Sequence, residues 1–138
     1  MACARWTYFM ADMLLDITVF QDYVKGDEDA RAIIEQVIEE TKTAAISPHV
    51  LFELWRNPSL DRKTEIGYIA MLSFLEDAPL SAEAAKTAGL WLASVEEAER
   101  DRLAYFALVA ATARERGEPI CTRDPEPFSR FYSDFVGY

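Results

Sequence analysis

The sequence predicts an α/β domain: three layers, α/β/α, around a mainly parallel central sheet. Three observations point there. Short apolar runs of strand length alternate with segments of helical periodicity along the whole chain. The apolar runs are nearly continuous rather than alternating, as expected of strands covered on both faces. The chain has 138 residues, which suits one domain built on one core.

Met13 to Val19 is an apolar run broken by one acid. It predicts a first buried strand with Asp16 at its C-terminal end. Gly26 marks a turn, and Asp27, Glu28 and Asp29 open a helix with charges that complement its dipole. Ala30, Ile33, Ile34, Val37, Ile38 and Thr41 continue it at i, i+3, i+4, i+7 spacing, leaving Glu35, Glu39 and Glu40 on a solvated side. Ala44-Ala45-Ile46 reads as a second strand. Ser47 is placed to cap the next helix, and Pro48 at its first position loses no hydrogen bond. That helix carries Glu53 and Trp55 and ends near Asn57-Pro58. Asp61 to Glu76 reads as a helix apolar on more than one side, and Ala78-Pro79-Leu80 as a short edge strand, where proline is tolerated. Ser81 caps a helix running to about Leu92. Asp101 to Arg116 is the central helix: its middle is apolar all round, Arg114 and Arg116 fill its last turn, and Gly117 ends it. Pro119 to Thr122 forms a strand leading into Arg123-Asp124. Pro127 to Tyr132 gives a short helix and Phe135-Val136 a last strand. No repeat or low-complexity segment interrupts this order.

The composition is that of an ordinary globule, 51% hydrophobic and 28% charged. No apolar run reaches the ~20 residues that span a bilayer, so no membrane association is expected. Met1 to Asp12 reads as an N-terminal extension without the features of a signal peptide, with Met10 or Met13 as alternative starts and the domain proper at 13–138. Cys3 and Cys121 lie far apart, and Cys121 in its strand reads as a small core residue. The cytoplasm is the default compartment. A net charge of −10 argues against broad nucleic-acid binding, which needs a basic surface. It leaves room for a small basic rim or a basic partner peptide.

Asp16 and Asp124 follow two strands, and Glu53 lies on the helix after a third. In an open parallel sheet, sites form outside the C-terminal strand ends where the topology switches, so the three acids are placed to converge. Clustered carboxylates repel unless a cation joins them. Mg²⁺ or Mn²⁺ suits such a set of hard oxygen donors, and a bound metal can activate water against a phosphodiester. Singly, each acid has a plainer reading: Asp16 as a cap or turn residue, Glu53 as a surface helix residue, Asp124 as a turn residue before Pro125.

Four stretches then carry a family resemblance: Leu14-Leu15-Asp16-Ile17-Thr18-Val19; Ile46-Ser47 through Phe52-Glu53-Leu54; Phe106-Ala107-Leu108-Val109-Ala110-Ala111-Thr112-Ala113 through Gly117; and Ile120-Cys121-Thr122-Arg123-Asp124-Pro125-Glu126-Pro127-Phe128. In this order and spacing they resemble the PIN-domain proteins, and within them the VapC-type toxins of toxin–antitoxin pairs. The resemblance implies a metal-dependent endoribonuclease with Asp16, Glu53 and Asp124 as metal-site acids and Glu126 as an outer candidate. It also implies an RNA substrate, a homodimer, and an antitoxin whose basic tail fills the acidic groove.

The chain departs from that pattern. Phe106 stands where the resemblance places a further aspartate, and Ile17-Thr18 replaces the usual hydroxyl residue and asparagine. A ring cannot coordinate a cation, and it makes the site less charged and drier. Asp101 is five residues earlier, some 140° round the helix and about 7.5 Å along it. It reads as a helix-start acid rather than a replacement. His49, the single histidine, reads as a helix-start residue, and Trp55 and Trp91 as core or interface. Among Arg56, Arg102, Arg114, Arg116, Arg123 and Arg130, Arg123 beside Asp124 is the best candidate for holding substrate. Two functions remain open: a ribonuclease working with three acids, and a PIN-like binding or regulatory module without catalysis. A phosphotransfer domain fits poorly, since Lys86 is the last lysine and none lies near the late strands.

Overall fold

The computed structural model describes residues 11–138, so nearly all of the expected N-terminal extension lies outside the described residues. Five strands form one sheet: β1 (Met13–Leu15), β2 (Ala44–Ile46), β3 (Glu76–Asp77), β4 (Ile120–Cys121) and β5 (Phe135–Val136). Their order is β3-β2-β1-β4-β5, and every neighbouring pair is parallel. The helices are α1 (Ile17–Val24), α2 (Glu28–Ile38), α3 (Pro48–Trp55), α4 (Arg62–Leu72), α5 (Ala82–Ala93) and α6 (Glu97–Arg116), with a 3₁₀ turn at Glu126–Phe128.

The apolar runs explain the sheet. Every residue of β1, β2 and β4 is buried, which requires helices on both faces. Leu14, Leu15, Phe20, Ile120 and Phe128 are fully enclosed in one core, each burial contributing roughly 1.5–3 kcal/mol. A second, smaller cluster joins α5 to α6 through Ala84, Ala88, Ala107 and Ala111; these small side chains let the two helices approach closely. Gly117 ends α6 at φ 69°, and its N–H returns to Ala113 and Arg114, a left-handed cap that glycine adopts at little cost.

Behind that cap, Glu118 is fully buried. It accepts from Arg116 Nε at 2.6 Å and from the Ala11 N–H at 2.6 Å, while Arg116 also reaches Glu76 at 3.0 Å. A charge enclosed to this degree is tolerated because its partners are charged or hydrogen-bonded. The cluster ties the start of β1, the end of α6 and the edge strand β3 together on the side opposite the strand C-termini.

The structure corrects several local expectations. The run after Asp16 is helical: α1 starts at Ile17, and only Met13–Leu15 is strand. The edge strand is Glu76–Asp77, two residues before the expected Ala78-Pro79-Leu80, with Ala78 N–H still donating to Ile46. α6 begins at Glu97, so Asp101 sits in its second turn. The short helix expected at Pro127–Tyr132 is the 3₁₀ turn. Ser47 occupies the N-cap position of α3, but among the described residues its hydroxyl makes no hydrogen bond; the strand end buries it. Asp27, Asp61 and Ser81 do cap, accepting from the N–H groups of Ala30, Thr64 and Ala84.

The strand order sets the site. The chain lays β2 and β3 on one side of β1, then returns to place β4 and β5 on the other. The topology therefore switches between β1 and β4, whose outgoing connections lead in opposite directions along the sheet.

Candidate functional site

Asp16 is the first residue after β1, and its N–H donates to Cys121 of β4 at 3.0 Å. It is only 2% exposed. Three side-chain hydroxyls converge on its carboxylate. Tyr105 Oη donates to Oδ1 at 2.5 Å, Thr122 Oγ1 to Oδ2 at 2.7 Å, and Thr18 Oγ1 to Oδ2 at 3.0 Å. Each partner is positioned by a different element: Tyr105 by the middle of α6, Thr122 by the residue after β4, Thr18 by the first turn of α1. Tyr105 Oη also accepts from the Ile17 N–H at 3.2 Å, satisfying one of the donors that a helix N-terminus leaves open. Burial first, and then the Asp16 charge, hold the Tyr105 phenol well above its ordinary range, so it remains a donor. Burial, with a smaller contribution from Asp16, pushes the Cys121 thiol up to about 12; as an enclosed thiol it is a core group and not a nucleophile.

A cavity of about 410 Å³ opens beside Asp16, and Glu53, Asp101 and Asp124 also line it. Arg56, Arg102, Tyr105 and Phe106 complete much of the wall. The three acids singled out in the sequence are thus brought to one cavity, along with Asp101. Asp101 and Tyr105 are one turn apart on α6, so they share a face. Phe106 packs its ring edge-on against Phe128 at 5.0 Å and against Tyr105 at 5.2 Å. It is part of the aromatic wall that holds Tyr105.

The arginines are engaged locally. Arg56 Nε bonds Glu53 at 2.9 Å, and Arg102 bonds Glu99 at 2.8 Å. Arg123 does not line the cavity: it pairs with Asp27 at 2.8 Å and Asp22 at 3.3 Å and lies over the Tyr138 ring at 4.4 Å. It fastens the C-terminus to α1 and α2. Arg114 lies over Trp91, which stacks on Phe131. Glu126 is exposed at the start of the 3₁₀ turn and is not in the cavity wall. His49 is half-buried on α3, and burial lowers its imidazole below the ordinary range against the smaller raising effect of Glu53.

The model of the PIN domain matches residues 13–133. The chain belongs to the PIN-domain family. Solved structures bear the same fold. VapBC2 from Rickettsia felis, bound to a DNA fragment from its promoter, superposes with a TM-score of 0.70 at 20% identity, covering 91% of this chain and 98% of that one. FitAcB from Neisseria gonorrhoeae gives 0.68 at 18% identity, covering 90% and 96%. A toxin–antitoxin complex from Klebsiella pneumoniae gives 0.60 at 20% identity, covering 85% and 90%. A search of curated protein sequences finds no match.

PIN domains are generally metal-dependent nucleases. The donors of this PIN domain do not fit a divalent cation as they stand. Both oxygens of Asp16 accept from hydroxyl groups, Glu53 is paired with Arg56, and Phe106 contributes no donor. Among the described residues no three His, Cys, Asp or Glu side chains are grouped closely enough to hold one metal ion. No helix among the described residues is long and apolar enough to cross a membrane.

Tyr105 was not legible as a site residue. The available signal was indirect: a buried tyrosine needs a partner for its hydroxyl, and a buried Asp16 needs donors.

Proposed function

We propose that this PIN domain is the toxin-fold member of a two-protein pair, with metal-dependent cleavage weakened or lost and binding of an antitoxin-like partner retained. The carrying observation is the closure of Asp16: three hydroxyl donors occupy the carboxylate around which the other acids would have to gather. The cavity beside it holds four carboxylates and two arginines that are each bonded to a glutamate. Such a wall suits the basic side chains of a partner segment. The toxin–antitoxin complex from Klebsiella pneumoniae shares the fold and supports a pairing of this kind. Large exposed apolar side chains on α3, α4 and α5, namely Phe52, Ile66, Ile69 and Leu90, favour assembly, and a homodimer belongs to the same reading.

The test is co-expression with the product of a neighbouring open reading frame that encodes a basic-tailed protein, followed by size-exclusion chromatography with light scattering. Co-elution that is lost on reversing the cavity charges (Glu53→Lys with Asp101→Lys) is the expected result. Independent elution of two folded proteins counts against the pairing.

A second reading has its own support: Asp16, Glu53 and Asp124 line one cavity, as a ribonuclease using Mg²⁺ or Mn²⁺ would require. Incubation of native chain and Asp16→Asn with RNA and either metal separates the two. Cleavage by the native chain that disappears in the variant establishes the nuclease reading.

A further inference from the structure

We infer that Tyr105, rather than Phe106, is the residue that shuts this site to divalent cations, its hydroxyl occupying the Asp16 oxygen a cation would need. The inference rests on the proposed reading that cleavage is weakened or lost, and it explains how. The resemblance to PIN-domain proteins draws attention to Phe106, where it expects an acid. The geometry draws it one residue back. A phenyl ring offers no hydrogen bond to a carboxylate; the ring of Phe106 packs with Tyr105 and Phe128 at 5.2 and 5.0 Å. Tyr105 Oη lies 2.5 Å from Asp16 Oδ1 and leaves that oxygen engaged.

The lock is held from three sides. The Ile17 N–H donates to the same hydroxyl at 3.2 Å, so a cation that displaced Tyr105 would leave the first N–H of α1 without its partner. The Tyr105 ring is gripped by Phe106 and by Phe128 at 6.3 Å. Asp16 itself is 2% exposed and is held on its other oxygen by Thr122 and Thr18, so turning a fresh oxygen outward would break those two hydrogen bonds. Phe106 acts through Tyr105, whose ring it props. Tyr105 is a positioning residue, and its removal is the change that frees Oδ1. Glu53 and Asp124 line the same cavity, Glu53 paired with Arg56.

The experiment is titration of the full chain with Mn²⁺, read by the loss of the free-ion paramagnetic resonance signal, with circular dichroism recorded on each protein. Four chains are compared: native, Tyr105→Phe, Phe106→Asp and the double variant. Native chain and Phe106→Asp are expected to show no uptake that depends on Asp16. Tyr105→Phe gains affinity by about tenfold or more, the scale of a hydrogen bond to a charged group. The double variant binds more tightly still and loses that binding when Asp16→Asn is added. Three results overturn the inference: Asp16-dependent uptake by the native chain, equal uptake by Phe106→Asp and the double variant, or no uptake by folded Tyr105→Phe. Should the double variant fail to fold, Tyr105→Phe, which keeps the ring, decides alone. The readout is metal uptake, so it stands or falls independently of whether a partner protein co-elutes.

Discussion

Phe106→Asp, which supplies the aspartate that the sequence resemblance expects at this position, is expected to destabilise the protein without opening the site. The ring is half-buried and makes two edge-to-face contacts, with Phe128 at 5.0 Å and 85° and with Tyr105 at 5.2 Å and 87°. Half the burial of a phenylalanine amounts to about 1 kcal/mol. Each aromatic contact adds roughly 0.5–1.5 kcal/mol. The new carboxylate also joins Asp16, Asp101 and Asp124 around one cavity, where like charges oppose one another. The loss comes to about 3 kcal/mol. Unfolding entropy of about 2.1 cal/mol/K per residue converts this, for 138 residues, into a fall in Tm of about 10 °C. Phe106→Leu, which keeps apolar bulk, is expected to lose about half as much. Thermal denaturation followed by circular dichroism at neutral pH is the assay. A Tm for Phe106→Asp within about 2 °C of the native value would refute the view that the ring props the site wall.

Other outcomes follow from the same geometry. Glu118→Gln removes the charge from a fully buried carboxylate bonded to Arg116 at 2.6 Å; a loss of about 3 kcal/mol is expected in urea denaturation, and a midpoint shift within error would show the cluster to be dispensable. His49 has a folded-state pKa below its ordinary value because burial disfavours the charged form. The unfolded chain therefore binds the proton first, and this contribution to stability, present above about pH 6.5, is lost as pH falls towards the folded value. Tm should drop between pH 7 and pH 5.5 by more in the native chain than in His49→Gln; equal drops would show that His49 contributes nothing to the slope.

The sequence and the structure agree where local chemistry decides the outcome. Ala44–Ile46 and Phe135–Val136 are strands as their composition indicates, and Pro48 and Gly117 mark helix ends by the backbone they require. They part where two periods overlap. Ile17 and Val19 continue the apolar run of β1, so the first three residues of α1 read as strand; an eight-residue helix is too short for its spacing to declare itself. The acidic first turn of α6 was likewise lost in a polar stretch, which hid that Asp101 faces the cavity. That Asp16 and Asp124 would line one cavity was legible because strand ends in a parallel sheet converge. Tyr105 was not, because its partner lies 89 residues away, and no spacing encodes a contact made only by the fold.

The most direct measurement is a crystal structure of the native chain grown with excess Mn²⁺. Tyr105 Oη should remain on Asp16 Oδ1, with the Ile17 N–H on the same hydroxyl and no metal on Asp16. A Mn²⁺ ion bridging Asp16 to Glu53 or Asp124, with Tyr105 swung away, would contradict the closed site.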